Sequence, residues 1–75
     1  MATVSQFSLA NRIIATIHKH PEGIDRFDLM DSPHIKISIS NYNNIKPWLE
    51  HRYSGSIRYD KRLKKWYPII VEDLK

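Results

Sequence analysis

Hydrophobic residues recur at helical spacing near the start of the chain. The apolar stripe consists of Ala10, Ile13, Ile14 and Ile17. These positions are i, i+3, i+4 and i+7, which form one face of an amphipathic helix. Ser8 is a suitable N-cap, because its hydroxyl can accept a hydrogen bond from an amide of the first turn. Pro21 and Gly23 do not continue a helix well. The pattern predicts a first helix over residues 8–19, after a frayed start at residues 1–7.

A shorter hydrophobic group follows Gly23. Asp25 can cap a second helix whose apolar contacts are Phe27, Leu29 and Met30. Asp31-Ser32-Pro33 ends this segment, so helix 2 is predicted over residues 26–31. A helix this short persists only when it packs against the rest of the fold. Ile24, just before the cap, is a candidate strand stub that pairs with a later hairpin.

A third apolar series predicts another helix over residues 38–52. Ile39, Tyr42, Ile45 and Leu49 would lie on one face of this helix. Its opposite face would hold Ser40, Asn43, Asn44 and His51. Ser38 and Ser40 are both suitable caps for the start of this helix.

Two features of this third segment allow other interpretations. Ile35, Ile37 and Ile39 alternate, which taken alone favours a strand. Pro47 inside a helix removes one hydrogen bond and costs about 3 kcal/mol. Either the helix kinks near residue 43, or a new helix begins near Pro47, where proline is accepted. We therefore expect a kinked or two-part helix.

The apolar spacing changes from helical to alternating after Ser54-Gly55. Residues 56–60 and residues 66–70 alternate, and a cationic turn separates them. This pattern predicts a two-stranded antiparallel hairpin. Pro68 cannot donate to a strand ladder, so its strand should be an edge there or end nearby. Residues 71–75 are expected to form a short tail.

A domain of 75 residues needs large apolar side chains to build its small core. The residues predicted to be largely buried are Ile13, Ile17, Leu29, Ile45, Leu49, Ile57 and Tyr67. For the same reason Trp48 and Trp66 are expected in the core, rather than stacked on a base or a partner.

This order of elements resembles the winged helix-turn-helix family. The resemblance covers residues 8–70, from LANRIIATIHKH through PEGID and RFDLM to the hairpin SIRYDKRLKKWYPI. It implies an α+β fold in which three helices precede a two-stranded wing. Family members usually lay the third helix in the major groove and place the wing on the backbone or minor groove. Pro47 departs from the family pattern. The resemblance further implies a small regulator of the kind found in phages or mobile elements.

Composition narrows the classes of protein to which this chain could belong. The chain allows one domain, residues 1–75, with an ordered core over about residues 8–70. It has no cysteine, which excludes disulfides and thiolate metal sites and suits the reducing cytoplasm. No apolar run is long enough to span a membrane, and no signal peptide is expected at the N-terminus. We therefore expect a cytoplasmic protein without membrane contact.

Positive charge is confined to one part of the chain. The net charge is +4 overall, but residues 1–35 carry −1, residues 36–65 carry +6 and residues 66–75 carry −1. A localised positive field of this kind steers polyanions to one face of a protein. The alternative is a solvated surface that serves only solubility.

Charge and resemblance together predict contacts with double-stranded DNA. Base contacts are expected from Ser40, Asn41, Asn43 and Asn44, since asparagine amides can bond adenine edges. Phosphate contacts are expected from Lys36, Lys46, Arg52, Arg58, Lys61, Arg62, Lys64 and Lys65. An asparagine-rich stretch can also cap a helix, and surface lysines can act in solubility alone. A domain this small would read few base pairs, so a homodimer or a cooperative array on DNA is expected.

No pattern of residues predicts catalysis, a metal or a cofactor. The four histidines lack the i, i+4 spacing of a helical zinc site, and two glycines cannot form a phosphate-binding loop. We expect no enzyme activity. The alternative function is a protein-interaction module, such as a phage-encoded inhibitor or assembly factor, that binds a partner through Trp66 and the tail.

Overall fold

The computed structural model describes residues 4–70 and has an α+β architecture. Its elements in chain order are α1 (Val4–His18), β1 (Ile24–Asp25), α2 (Arg26–Met30), α3 (Ile39–Arg52), β2 (Ile57–Asp60) and β3 (Lys65–Pro68). The three strands form one antiparallel sheet in the order β1-β3-β2. The three predicted helices are confirmed. The predicted antiparallel hairpin is confirmed as β2 and β3, but the sheet has three strands rather than two, because β1 pairs with β3. The predicted tail at residues 71–75 lies outside the described residues.

Helix α1 begins earlier than its apolar stripe indicated. It spans Val4–His18, so Ser8 lies inside the helix and the predicted cap is wrong. The predicted start at residue 8 failed because the stripe does not extend to the first turns. Phe7 instead packs edge-on against Trp48 of α3, with ring centroids 5.5 Å apart. This contact holds the start of α1 against the third helix.

The join between β1 and α2 follows the predicted chemistry. Asp25 accepts a hydrogen bond from the Phe27 amide on Oδ1 at 2.8 Å, as an N-cap should. The helix ends at Met30 with Asp31 as its C-cap, one residue before the predicted end. Ile24 is buried and pairs with Trp66, so the predicted strand stub is confirmed and extends over two residues.

Helix α3 is one continuous helix capped by Ser38. The Ser38 hydroxyl accepts from the Asn41 amide at 3.2 Å. The two-part alternative is wrong, because Pro47 lies inside the helix. Its ring is exposed, and the Asn43 carbonyl that loses its helical partner can bind water instead. The strand alternative is also wrong, because residues 31–38 form turns and loop, with Ile35 in the core.

Strand β3 lies at the centre of the sheet. Trp66 faces Ile24 on one side and Tyr59 on the other. Pro68 is the last residue of β3 and pairs only with Ile57 of β2. It lies beyond the end of β1, so its missing N–H removes no hydrogen bond on that side. This placement matches the expectation that the strand ends near Pro68.

The core is built around Trp66. Its buried hydrophobic residues are Ala10, Ile13, Ile17, Ile24, Leu29, Met30, Ile35, Tyr42, Ile45, Leu49, Ile57 and Trp66. Six of the seven predicted core residues are therefore confirmed. The prediction for Tyr67 is wrong, because its ring lies on the other face of the sheet. The Arg58 guanidinium lies over this ring, 4.5 Å from its centre. Trp48 is only partly buried and packs at the edge of the core.

One hydrogen bond crosses this core. The Trp66 indole N–H donates to the Tyr42 hydroxyl at 2.9 Å. Burial raises the pKa of Tyr42 to about 12, although the bond from Trp66 opposes the shift. Tyr42 is therefore a neutral acceptor at physiological pH. Among residues 4–70, no helix combines the length and the apolar character that crossing a membrane requires.

The two glycines offer a matched test of the fold. Gly23 has φ +100°, and a Cβ there would lie 2.5 Å from the Tyr67 ring. Gly55 has open space around it and no positive φ. We expect Gly23→Ala to destabilise the domain by about 1–3 kcal/mol, from backbone strain and displacement of Tyr67. Gly55→Ala should be neutral or slightly stabilising. Urea unfolding of both variants checks this, and equal stability of the two would contradict the turn geometry at Gly23.

Candidate nucleic-acid interface

The outer face of α3 is polar and exposed. Tyr42, Ile45 and Leu49 are buried, which turns the opposite side of the helix to solvent. The exposed residues on that side are Ser40, Asn43, Asn44, Pro47 and His51. This confirms the predicted exposed face. A surface of hydroxyl and amide groups can donate to and accept from base edges.

The asparagines do not have equivalent surroundings. Asn41 and Asn44 border a shallow cleft beside α1, together with Gln6, Leu9 and Ile45. Ser40 and Asn43 are exposed but do not line this cleft. The amide of Asn43 is therefore open to an external ligand on the outer side of α3.

Lys46 is already engaged within the protein. Its ammonium group forms an ion pair with Glu50 one turn later on α3. The same group lies 4.4 Å from the centre of the Tyr59 ring. Lys46 thus joins α3 to β2, and a phosphate would have to compete with both contacts.

The hairpin tip is a well-ordered turn of four residues between β2 and β3. Asp60 accepts hydrogen bonds on Oδ1 from the amides of Arg62 at 2.8 Å and Leu63 at 3.1 Å. These bonds hold the pKa of Asp60 below its ordinary value. The Lys64 amide donates to the Asp60 carbonyl at 2.7 Å, and Lys64 has φ 55°. A residue in this left-handed conformation is usual at the end of such hairpin loops.

The turn presents its side chains to solvent. Lys61, Arg62, Leu63 and Lys64 are all exposed. Because Asp60 fixes the backbone, the three cations share one small region of the surface. Lys65 is partly buried at the start of β3 and faces the acidic side of the molecule.

The other predicted cations are spread around the domain. Lys36 is exposed in the loop before α3 and has φ 43°, an uncommon conformation for lysine. Arg52 is exposed at the end of α3, 6.0 Å from the Phe7 ring centre. Arg58 is exposed on β2 against Tyr67. These three residues do not join the cluster at the hairpin tip.

Acidic residues lie close to the hairpin, near the start of α2. The Arg26 amide donates to the Lys64 carbonyl at 3.3 Å, which joins the tip to α2. A cleft of about 480 Å³ beside this join holds Glu22, Asp25, Asp28 and Asp31 together with Lys65. A backbone hydrogen bond and a hydrogen bond from His20 lower the pKa of Glu22. The acidic cleft would therefore repel a polyanion from that flank of the tip.

Three exposed hydrophobic residues were missed as candidate site residues. Phe27, Ile39 and Leu63 are 55%, 48% and 57% exposed. Phe27 and Ile39 fit helical apolar patterns, which favoured burial. Leu63 is an apolar residue between four cations in the sequence, and this isolated position could have marked it as a candidate contact.

Two further observations limit what the site can bind. Within residues 4–70, no three His, Cys, Asp or Glu side chains are grouped so that they could hold a metal ion. Trp66 is fully buried and offers no contact to a partner, so the interaction-module alternative loses one of its two named contacts, and the other, the tail, lies outside the described residues. In comparisons with protein-family models, curated proteins and solved structures, nothing matches this chain.

Proposed function

We propose that this protein is a small winged-helix regulator of transcription that binds double-stranded DNA. One observation carries the proposal: exposed amides on the outer face of α3 are separate from a cluster of exposed cations on an ordered hairpin tip. Base reading and phosphate binding need these two kinds of group. The order of elements, with three helices before a hairpin, supports the winged-helix resemblance.

The outer face of α3 and the hairpin tip would have different roles in DNA recognition. Helix α3 would enter the major groove with Asn43 and Ser40 toward the base edges, where a bidentate amide contact selects adenine. Lys61, Arg62 and Lys64 would bind phosphates and fix the position of the domain without reading sequence. A cytoplasmic location belongs to this proposal, and the absence of cysteine agrees with it.

The asparagines test the base-reading part of the proposal. Asn43→Ala should weaken binding to the preferred duplex by about 1–3 kcal/mol, with little effect on random DNA. Asn44→Ala should act in the same direction. Asn11→Ala is the matched control, because Asn11 is an exposed asparagine on α1. The preferred duplex is first selected from a random pool, and affinities are then measured by fluorescence anisotropy.

Each outcome of this test has a definite meaning. Loss of preference with unchanged random binding supports base contact by α3. If the asparagine variants weaken every duplex equally, α3 is a scaffold and another element reads the bases. If they behave like Asn11→Ala, the proposed reading face is wrong.

A further inference from the structure

Two apolar features of the described surface have no role in the proposed DNA contacts. The first is a groove of about 430 Å³ between α2 and the start of α3. Its lining consists of Phe27, Asp28, Met30, Asp31, Ile37 and Ile39. The second is Leu63, which projects from the hairpin tip. Exposed apolar surface with a polar rim is typical of interaction sites.

The groove and the tip have opposite charges. Asp28 and Asp31 form the acidic rim of the groove, while Lys61, Arg62 and Lys64 surround Leu63 at the tip. Arg26 lies near the groove, but its guanidinium stacks on the Phe27 ring at 4.7 Å. The groove thus matches an apolar side chain flanked by cations, and this chain carries such a segment.

The two features are neighbours on one side of the molecule. The Arg26 amide bonds the Lys64 carbonyl, so the tip begins next to the helix that forms the groove. Asp25 also pairs with Lys65 across the sheet. None of the tip residues lines the groove, so the chain does not fill its own groove.

Neighbouring complementary patches suit a two-fold pair. In such a pair the same surface is used on both subunits, so that each patch meets its complement in the partner. We propose that the groove is a docking site for a second copy of this chain, with the tip of each copy in the groove of the other. Leu63 enters beside Phe27 and Ile39, and the tip lysines face Asp28 and Asp31. The pair needs no DNA, but it engages the tip cations that the proposed function assigns to phosphates, so pairing and DNA binding would compete for them.

Charge reversal tests the pair directly. One variant carries Lys61→Glu with Lys64→Glu, and a second carries Asp28→Lys with Asp31→Lys. Sedimentation equilibrium from about 10 µM to about 1 mM should show a weak dimer for the unchanged protein, as expected for a small interface. Each variant alone should pair at least about tenfold more weakly, because like charges then face one another. An equimolar mixture should restore a dimer, since both of its contacts are complementary.

Two controls separate docking from charge and folding effects. Lys19→Glu with Arg52→Glu makes the same change in net charge as the tip variant, away from the tip, and should pair normally. Leu63→Ser leaves every charge in place and should weaken pairing through loss of the apolar contact. Circular dichroism is used to check that each variant is folded. The exposed positions of Lys61, Lys64 and Leu63 make their replacement compatible with the fold.

Three results would overturn the inference. The unchanged protein could stay monomeric at about 1 mM, or the tip variant could pair as well as the unchanged protein. The mixture of the two variants could also form no heterodimer. Species larger than a dimer would contradict the reciprocal pair and indicate an open chain of subunits instead. None of these measurements involves DNA, so failure of the pair can be distinguished from failure of the proposed function.

Discussion

Replacing Trp66 with alanine should unfold most of the domain at room temperature. Trp66 is fully buried at the centre of the sheet, and truncation of such a residue costs about 3–5 kcal/mol. The change also removes the donor to the Tyr42 hydroxyl, and a buried polar group without a partner costs about 1–3 kcal/mol. A domain of this size has a total stability near the lower end of about 5–15 kcal/mol.

Urea unfolding followed by circular dichroism measures the effect. Trp66→Phe keeps an aromatic ring but removes the N–H, so it should cost less than Trp66→Ala. Phe27→Ala is the matched control for loss of an aromatic ring, because Phe27 is 55% exposed. It should cost about 1 kcal/mol or less. If Trp66→Ala unfolded at the same urea concentration as Phe27→Ala, Trp66 would not be the centre of the core.

Neutralising the hairpin cations should have the largest effect on DNA binding. Changing Lys61, Arg62 and Lys64, the three exposed cations of the tip, to glutamine should weaken binding to all duplexes about equally. Each phosphate contact releases about 0.9 of a counterion from duplex DNA. Loss of three contacts should therefore reduce the slope of log affinity against log salt by about 2.7. Anisotropy titrations at several salt concentrations measure both quantities.

The control removes cations from another part of the protein. Arg12→Gln with Lys19→Gln neutralises two exposed side chains, one on α1 and one in the turn just after it. This variant should keep most of the affinity and the salt slope, since both positions lie outside the proposed interface. An unchanged slope in the hairpin variant would remove the tip from the interface. Equal losses in both variants would mean that only overall charge matters.

Much of the fold was predictable because local patterns agreed with the tertiary packing. The helix stripes, the caps at Asp25 and Ser38 and the alternation in the hairpin are all present. Tyr67 was misplaced because both faces of β3 carry apolar residues, and periodicity alone does not choose between them. The register with β2 makes that choice, since Trp66 faces Tyr59 and Tyr67 faces Arg58. The continuity of α3 through Pro47 required tertiary contacts that the sequence pattern does not show.

The candidate site was predictable by residue type but not by arrangement. The sequence places amides on one face of α3, and the structure exposes that face. The sequence does not show that Lys46 contacts Glu50 and Tyr59, or that Asp60 holds the backbone of the tip. The groove beside Phe27 was missed because it depends on the packing of α2 against the loop before α3.

The proposed function requires this domain to bind double-stranded DNA through phosphate contacts. A titration of the unchanged protein against mixed-sequence duplexes at about 50 mM and about 200 mM salt tests it most directly. Contacts from the three basic residues Lys61, Arg62 and Lys64 would give a slope of about −2.7, or roughly a fortyfold loss of affinity between the two conditions. The proposal predicts a loss of at least this size. No binding at the lower salt concentration, or an affinity that does not change with salt, would contradict it.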